Sequence, residues 1–301
     1  MNTIERFLEY IAIERKYSTR TVEAYRDDLR DFCAFLGWDP EEYDPSAVDE
    51  EDIKLWLIRM LDEGKSPRSI KRYLSSLRSF YKFMLRTGVI TKDITRKIIS
   101  PKVDKPLPVF FKESEMQRAI AYEAQADDFE SIRDCLIIEM LYQTGMRQAE
   151  LLGLTDNDVD LAQGQVRIFG KRKKERIVPI GEALVQQIQN YLAARQELGT
   201  VSNFFVRIKR NGEVEPMNKS ALYAIVRARM GEVSTLKKHS PHVLRHTFAT
   251  TMLNNGADIR TIQSLMGHAS LAATQVYTHT TFEQVRKAYN EAHPRAKKVE
   301  N

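Results

Sequence analysis

Apolar side chains recur at helical spacing in four separate runs over the first hundred residues. The runs begin near Ile4, Val22, Ile53 and Ile70, and in each the apolar positions lie three and four residues apart, as on the buried face of an amphipathic helix. Residues typical of helix ends stand at the boundaries of these runs: Ser18, Gly37, Gly64, Ser66 and Gly88. The pattern predicts four helices packed as a small bundle.

A proline-rich segment separates this bundle from the rest of the chain. The sequence SPKVDKPLPV, residues 100–109, holds three prolines and no apolar periodicity, which is typical of an extended connector. We therefore expect one domain at residues 1–100, a linker at residues 101–109 and a second domain at residues 110–301.

The second domain combines helical patterns with two short runs typical of strands. One helical run ends at Gly145, and the segments VDLAQGQVRIF and ERIVPIG read as strands joined by a turn at residues 170–174. The C-terminal part is helical again, with breaks at Pro241, Gly256 and Gly267. We expect a mainly α chain whose larger C-terminal domain contains a small antiparallel β-sheet.

Composition excludes several classes of protein. The chain has 301 residues, of which 43% are hydrophobic and 29% charged, unlike disordered or collagen-like chains. The two cysteines, Cys33 and Cys135, lie within apolar helical patterns and cannot form a disulfide framework. No apolar run approaches the roughly 18 to 20 residues that a membrane span requires, and the N-terminus lacks the pattern of a signal peptide. We expect a soluble cytoplasmic protein with no membrane partner.

The net charge is small, but its distribution is uneven. Lys and Arg number 46 against 41 Asp and Glu, a net charge of +5. Residues 39–63 hold ten acidic and two basic side chains, whereas residues 64–105 hold twelve basic and two acidic ones. A basic segment of this kind suits phosphate contacts, and its alternative is the solvated face of a helix. The predicted phosphate contacts are Lys71, Arg72, Arg78 and Lys82.

Two segments of the second domain place arginines where they can bind a phosphate. In SPHVLRHTFATT, His242 and Arg245 lie three residues apart on one face of a helix that opens with Ser240 and Pro241. The helix dipole and free backbone N–H groups favour an anion near this end. In TGMRQAEL, Arg147 follows a helix break and its guanidinium can form a fork on phosphate oxygens. Taken singly, each arginine is equally well explained as a structural or surface residue.

Two further segments carry cations and a tyrosine. The turn in FGKRKKERIVPIG holds four basic residues that suit a DNA groove or a solvated loop: Lys171, Arg172, Lys173 and Lys174. In GHASLAATQVYTH, His268 directly follows the helix-ending Gly267, and Tyr277 comes nine residues later. An isolated tyrosine in such a segment usually packs in a core.

Taken together, these segments resemble the catalytic domain of the tyrosine site-specific recombinases, the phage integrase family, and the Xer-type members in particular. The shared order of residues is Arg, Lys, His-x-x-Arg, Gly-His and Tyr. TGMRQAEL is similar to the first arginine box, HVLRHTFAT to the second and GHASLAATQVYTH to the nucleophile segment. FLEYIAIERKYSTRTVEAYRDDLRDFCAFL resembles the DNA-gripping N-terminal domain. The resemblance implies a two-domain DNA clamp, with a SAM-like core-binding domain and a catalytic domain.

The resemblance also implies a role for each candidate residue. Tyr277 would be the nucleophile that forms a 3′-phosphotyrosine, with Tyr289 the nearest alternative, and Glu150 would support the first arginine box. The activating residues would be Arg147, Lys171, His242, Arg245 and His268. The family hairpin commonly reads Gly-Lys-Gly, whereas Arg172 replaces the second glycine here. We assign the general acid to Lys171, and DNA contacts to Arg172, Lys173 and Lys174.

The implied partners are double-stranded DNA at a specific site and further copies of this chain, because exchange between two duplexes requires four protomers. A second recombinase is an open alternative. No cofactor, metal or ATP is expected, since the phosphotyrosine retains the energy of the cleaved bond. Chromosome-dimer resolution, mobile-element integration and DNA inversion all use this chemistry. The C-terminal segment, with Phe282, Val285 and Tyr289 on a weak apolar face, would dock on a neighbouring protomer or pack on its own chain.

Two other functions fit parts of the sequence. A metallohydrolase could use His239, His242 and His246, although no carboxylate partner stands nearby. A regulator of the same fold could bind DNA without cleaving it. The presence of Tyr277 within an intact set argues against the regulator, because a purely binding protein has no use for the phenol.

Overall fold

The computed structural model describes residues 2–102, 109–121, 128–170, 175–199, 201–267 and 279–296. The chain divides into two compact units, Met1–Pro106 and Leu107–Asn301. This division falls inside the proline-rich segment that the sequence predicts to be the linker. None of the described helices is both long and apolar enough to cross a membrane.

The first unit is a bundle of four α-helices over residues 2–102. The helices are α1 (Thr3–Ile13), α2 (Thr19–Leu36), α3 (Glu50–Asp62) and α4 (Pro67–Arg86), followed by a 3-10 turn at Ile94–Lys97. The hydroxyls of Ser18 and Ser66 accept backbone N–H groups in the first turns of α2 and α4, as their positions predict. The side chains of Phe7, Phe32 and Phe80 are fully buried in the shared core. The predicted four-helix bundle is confirmed.

The second unit is mainly helical over the residues described. Its helices are α5 (Glu113–Ala121), α6 (Phe129–Thr144), α7 (Gln148–Leu152), α8 (Glu182–Gln196), α9 (Lys219–Val233), α10 (Pro241–Asn254), α11 (Ile259–Met266) and α12 (His279–Ala292). Its strands are β1 (Val159–Asp160), β2 (Gln165–Phe169), β3 (Glu175–Pro179), β4 (Val206–Ile208) and β5 (Val214–Pro216). Strands β1, β2 and β3 form an antiparallel sheet in that order, which confirms the small sheet that the sequence predicts.

Strands β4 and β5 form a separate antiparallel hairpin that the sequence analysis missed. Each strand has only three residues, too few to show an alternating pattern. Asn211 and Gly212 lie between them, and Asn-Gly is a common signal of a hairpin turn. That dipeptide was the signal available in the sequence.

Helix α6 forms the centre of the second unit. Every residue from Cys135 to Thr144 is buried, and the helix packs against α8 and α10. The helix ends at Gly145, whose φ of 58° lies in the left-handed region. A Cβ atom there would collide with the ring of Phe248. Glycine is therefore required at this turn, on both conformational and steric grounds.

Helix α12 packs on its own chain. Val285, Tyr289 and Ala292 are buried in the core of the second unit, and the Tyr289 hydroxyl donates to Oε1 of Gln143 at 3.0 Å. The structure thus shows the intramolecular alternative for the C-terminal segment. The side chain of Phe282 lies outside the described residues.

Candidate active site

Arg147 stands at the N-terminus of α7 and is held there by Glu150. Oε2 of Glu150 accepts the backbone N–H of Arg147 at 2.7 Å, and Oε1 accepts Nη1 of the Arg147 side chain at 2.8 Å. A carboxylate in the first turn also complements the partial positive charge of the helix end. The Arg147 side chain remains 43% exposed, so its guanidinium is anchored at one edge and accessible elsewhere.

Glu150 also binds a second arginine, Arg176 of strand β3. Nη1 of Arg176 donates to Oε1 of Glu150 at 3.1 Å and Nη2 donates to Oε2 at 2.7 Å. Burial on its own would raise the pKa of Glu150, but hydrogen bonds and charge from Arg176 and Arg147 outweigh it, and the pKa lies below its usual value. Glu150 is therefore a carboxylate at neutral pH, and four donors surround it.

Arg245 lies deeper, on α10, where its side chain is almost fully buried. Its Nη1 donates to the carbonyl of Gly145, and its Nη2 donates to the carbonyl of Met266 at 2.6 Å. Burial, and after it the charges of Arg147 and Arg176, lower the pKa of Arg245 to about 10. Arg245 remains charged at neutral pH, in a group of three guanidiniums and one carboxylate.

Three consecutive carbonyls at the end of α11 each accept a hydrogen bond from a different arginine. The pairs are Leu265 with Nε of Arg176 at 2.6 Å, Met266 with Nη2 of Arg245 at 2.6 Å and Gly267 with Nη2 of Arg147 at 3.3 Å. The last carbonyls of a helix have no partner within the helix and carry partial negative charge, so they suit cationic donors. The end of α11 thus gathers the arginines, and His268 is the next residue in the sequence.

The structure brings together Arg147, Glu150 and Arg245 and places His242 nearby on α10. His242 is exposed in the first turn of that helix, three residues before Arg245. Burial, and after it the proximity of His242, lower the pKa of His246 one turn further on. The remaining predicted site residues lie outside the described part of the chain: Lys171, Arg172, Lys173, Lys174, His268 and Tyr277.

The start of α10 matches the sequence pattern in position but not in every contact. Ser240 is the N-cap and Pro241 the first helical residue, as predicted. The Ser240 hydroxyl, however, makes no capping bond and is buried without a hydrogen-bond partner. His239 stacks against Phe111 with ring centroids 6.0 Å apart. Within the described ranges, no group of three or more His, Cys, Asp or Glu residues could hold a metal ion.

The four predicted phosphate contacts of α4 differ in their surroundings. Lys71 and Lys82 are exposed. Arg72 instead forms an ion pair with the buried Asp28 of α2, and Nη2 of Arg78 donates to the carbonyl of Ile98 at 2.5 Å. Arg72 and Arg78 thus have structural partners that the sequence analysis did not foresee. The contact of all four with DNA stays a prediction.

Comparison with known proteins agrees with this architecture. The pattern of the phage integrase family matches residues 110–284, and that of the SAM-like N-terminal domain of phage integrases matches residues 4–88. The chain is 37% identical to the tyrosine recombinase XerC of Chlorobaculum parvum over 323 residues, covering 97% of this chain and 94% of that protein. It is 36% identical to the tyrosine recombinase XerD of Staphylococcus aureus over 296 residues, covering 97% and 99% of the two chains.

A solved structure shows the same fold. The Tn1549 transposon integrase, in complex with transposon right end DNA, is similar with a TM-score of 0.70 and 20% identity, covering 95% of this chain and 99% of that one. The chain belongs to the phage integrase family of tyrosine recombinases. It is a Xer-type enzyme of site-specific recombination, which cleaves and rejoins DNA strands.

Proposed function

We propose that the chain exchanges strands between two specific DNA sites through a 3′-phosphotyrosine formed by Tyr277. The observation that carries this proposal is the placement of Arg147 and Arg245 on adjacent carbonyls of α11, with Glu150 fixing the first of them. A phosphodiester is an anion, and nucleophilic attack adds negative charge to its nonbridging oxygens. Charge that is held in place before the reaction is well suited to stabilise that transition state.

The proposed step forms one phosphorus–oxygen bond and breaks another. The Tyr277 oxygen attacks the phosphorus, and the 5′-oxygen of the next nucleotide leaves as a hydroxyl. The pKa of a free tyrosine is about 10, so the phenol needs a base such as His242 or a cationic site that stabilises phenolate. His268 would donate to the phosphate, and Lys171 would protonate the leaving oxygen. A 5′-hydroxyl of the partner strand then reverses the step and reseals the joint.

A suicide substrate tests this function directly. The purified protein is incubated with a recombination site nicked close to the scissile phosphate, with EDTA present and ATP omitted, and the products are separated on a denaturing gel. We expect a protease-sensitive adduct that retains a label at the 5′ end of the cleaved strand, because the protein is joined to the 3′ phosphate. An adduct that retains only a 3′ label, or one that requires a divalent metal, would contradict the proposed chemistry.

The assignment of Lys171 as the general acid has its own test. Lys171 is the first basic residue after strand β2, which ends at Phe169, and a proton donor must be held near hydrogen-bond distance. Lys171→Ala should cleave normal DNA slowly and recover on a substrate whose scissile 5′-oxygen is sulfur, since a thiolate needs no proton to leave. Lys173→Ala is the matched control and should show no selective recovery; recovery there instead would move the role to Lys173.

We also propose that both domains grip the DNA, with the linker at residues 101–109 between them. The excess of basic side chains in residues 64–105 supports this proposal. DNA affinity should fall steeply with salt, because each phosphate contact releases counterions and contributes about −0.9 to the slope of log K against log salt. Fragments separated within the linker should bind far more weakly than the whole chain. Full affinity in one isolated fragment would argue against a two-domain grip.

The working assembly is proposed to contain four protomers on two DNA duplexes, in the cytoplasm. The support is chemical, because each exchanged strand needs its own nucleophile and two duplexes have four strands to exchange. Light scattering of the protein with a synaptic pair of sites would give the mass of the complex. A second recombinase would show itself if the chain cleaved its site only when that protein was added.

A further inference from the structure

Arg176 is the arginine at the end of α11 to which the resemblance assigns no role. Its side chain is 4% exposed, and its three hydrogen bonds go to Glu150 and to the carbonyl of Leu265. The bonds engage Nε and both Nη atoms, so the whole guanidinium faces the protein. Arg176 is therefore badly placed to bind a phosphate, in contrast to Arg147.

The contacts of Arg176 join three elements of the second unit. From β3 it reaches Glu150 on α7 and Leu265 on α11, which are 26 and 89 residues away in sequence. A buried ion pair gives little net stability, because desolvation offsets most of the attraction, and apolar residues of similar volume often serve as well. Three directional hydrogen bonds to two separate elements instead fix the positions of α7 and α11 relative to β3, and an apolar side chain could not do this.

The geometry that Arg176 defines is that of the candidate active site. Glu150 holds the backbone and guanidinium of Arg147, and Arg176 holds both oxygens of Glu150. Arg176 also packs beneath the turn at Gly267, where φ is 64° and a Cβ atom would lie 3.1 Å from Nη1 of Arg176. That turn leads to His268 in the sequence. Strand β3 itself begins at Glu175, four residues after Lys171 in the sequence.

We propose that Arg176 is a positioning residue for DNA cleavage, acting through Glu150 on Arg147 and through the end of α11 on the turn before His268. The inference rests on the proposed function, in which Arg147 contacts the scissile phosphate. Arg176 could not be predicted from the sequence motifs, because its partners are distant in the chain. The available signal was its place on the same strand face as the buried Val178, where a charged side chain requires a partner.

The test replaces Arg176 by lysine and by glutamine. Arg176→Lys keeps the positive charge but cannot form the fork and the Nε bond together, and Arg176→Gln removes the charge. We expect single-turnover cleavage of the suicide substrate to fall about 10- to 100-fold in Arg176→Lys, with DNA affinity changed less than about twofold, since a misplaced guanidinium costs rate rather than binding. Arg176→Gln should be slower still.

Arg133→Lys is the matched control. Arg133 is equally buried in the same unit, and its Nη2 pairs with Asp134 at 2.7 Å, but it has no contact with the α11 end among the bonds described. All variants are compared below their measured unfolding temperatures. Arg133→Lys should cleave at the wild-type rate. The proposal would be overturned if Arg176→Lys and Arg133→Lys lost the same cleavage rate. It would also be overturned if both Arg176 variants unfolded while Arg133→Lys folded, because Arg176 would then be a stability residue.

A double-mutant cycle with Arg147→Ala separates positioning from general damage. If Arg176 acts mainly through Arg147, adding Arg176→Lys to Arg147→Ala should lower the cleavage rate by less than about threefold. The effects of substitutions at interacting residues are not additive. The full loss in both backgrounds would show that Arg176 does not act through Arg147 and would overturn that part of the proposal, and wild-type cleavage by Arg176→Lys and Arg176→Gln would overturn all of it. These outcomes are independent of whether Tyr277→Phe retains the adduct, which tests the proposed function itself.

Discussion

Tyr277→Phe should abolish the covalent protein–DNA adduct while leaving binding to the recombination site nearly unchanged. The substitution removes only the phenol oxygen, which is the atom that would bond to phosphorus, and it leaves the arginines that attract the phosphate. A denaturing gel with the suicide substrate measures the adduct, and a native mobility shift measures binding. The expected loss of adduct is complete, since no other step can replace the missing nucleophile.

Tyr289→Phe is the matched control for this experiment. Tyr289 is the nearest alternative tyrosine in the sequence, but it is fully buried, its hydroxyl donates to Gln143, and burial raises its pKa well above the usual value. The structure therefore makes it unsuitable as a nucleophile. Tyr289→Phe removes the same atom from a core position and should retain the adduct. An adduct that persisted in Tyr277→Phe would show that another side chain attacks the DNA.

The second large effect is expected for the two arginines. Arg147→Ala and Arg245→Ala should each slow cleavage by about 10²- to 10³-fold, the usual cost of removing one prearranged donor to a developing oxyanion. Site affinity should change far less, because many other phosphate contacts remain. Single-turnover cleavage with enzyme in excess gives the rate constant, and a binding titration gives the affinity.

Arg118→Ala provides the comparison for these arginines. Arg118 is exposed on α5 and donates to the carbonyl of Val233, so its loss tests the removal of an arginine elsewhere in the same unit. It should leave the cleavage rate unchanged. If Arg147→Ala or Arg245→Ala cleaved as fast as Arg118→Ala, that arginine would be structural and the proposed phosphate clamp would be wrong.

The first unit could be predicted from sequence because its signals are local. Helical periodicity and capping residues such as Ser18 and Ser66 act within a few positions of the chain, and the helices formed where they indicated. The ion pair of Arg72 with Asp28 joins residues 44 positions apart. A run of basic residues gives no information on which member is already paired within the fold, so this partner could not be predicted.

The candidate site shows the same division between local and distant information. The resemblance assigns Arg147, Glu150 and Arg245 to one site, and the structure brings these three side chains together, while their roles in cleavage stay predictions. The role of Arg176 depends on the antiparallel pairing of β2 with β3 and on the approach of α11, neither of which is encoded near Arg176 in the sequence. Packing between distant segments therefore supplied the part of the site that sequence reasoning missed.

The group of three guanidiniums and one carboxylate affects the stability of the site when no DNA is bound. Three guanidiniums repel one another here, and among the described residues the carboxylate of Glu150 and the carbonyls of α11 and Gly145 offset this repulsion. A scissile phosphate would supply the missing anion, and a ligand that binds only the folded arrangement stabilises it by mass action. Amide hydrogen exchange should therefore be fastest, within the site, at the end of α11 and the start of α7 in the free enzyme. DNA binding should slow amide exchange at both places, because the phosphate stabilises the arrangement of arginines that is proposed to cleave it.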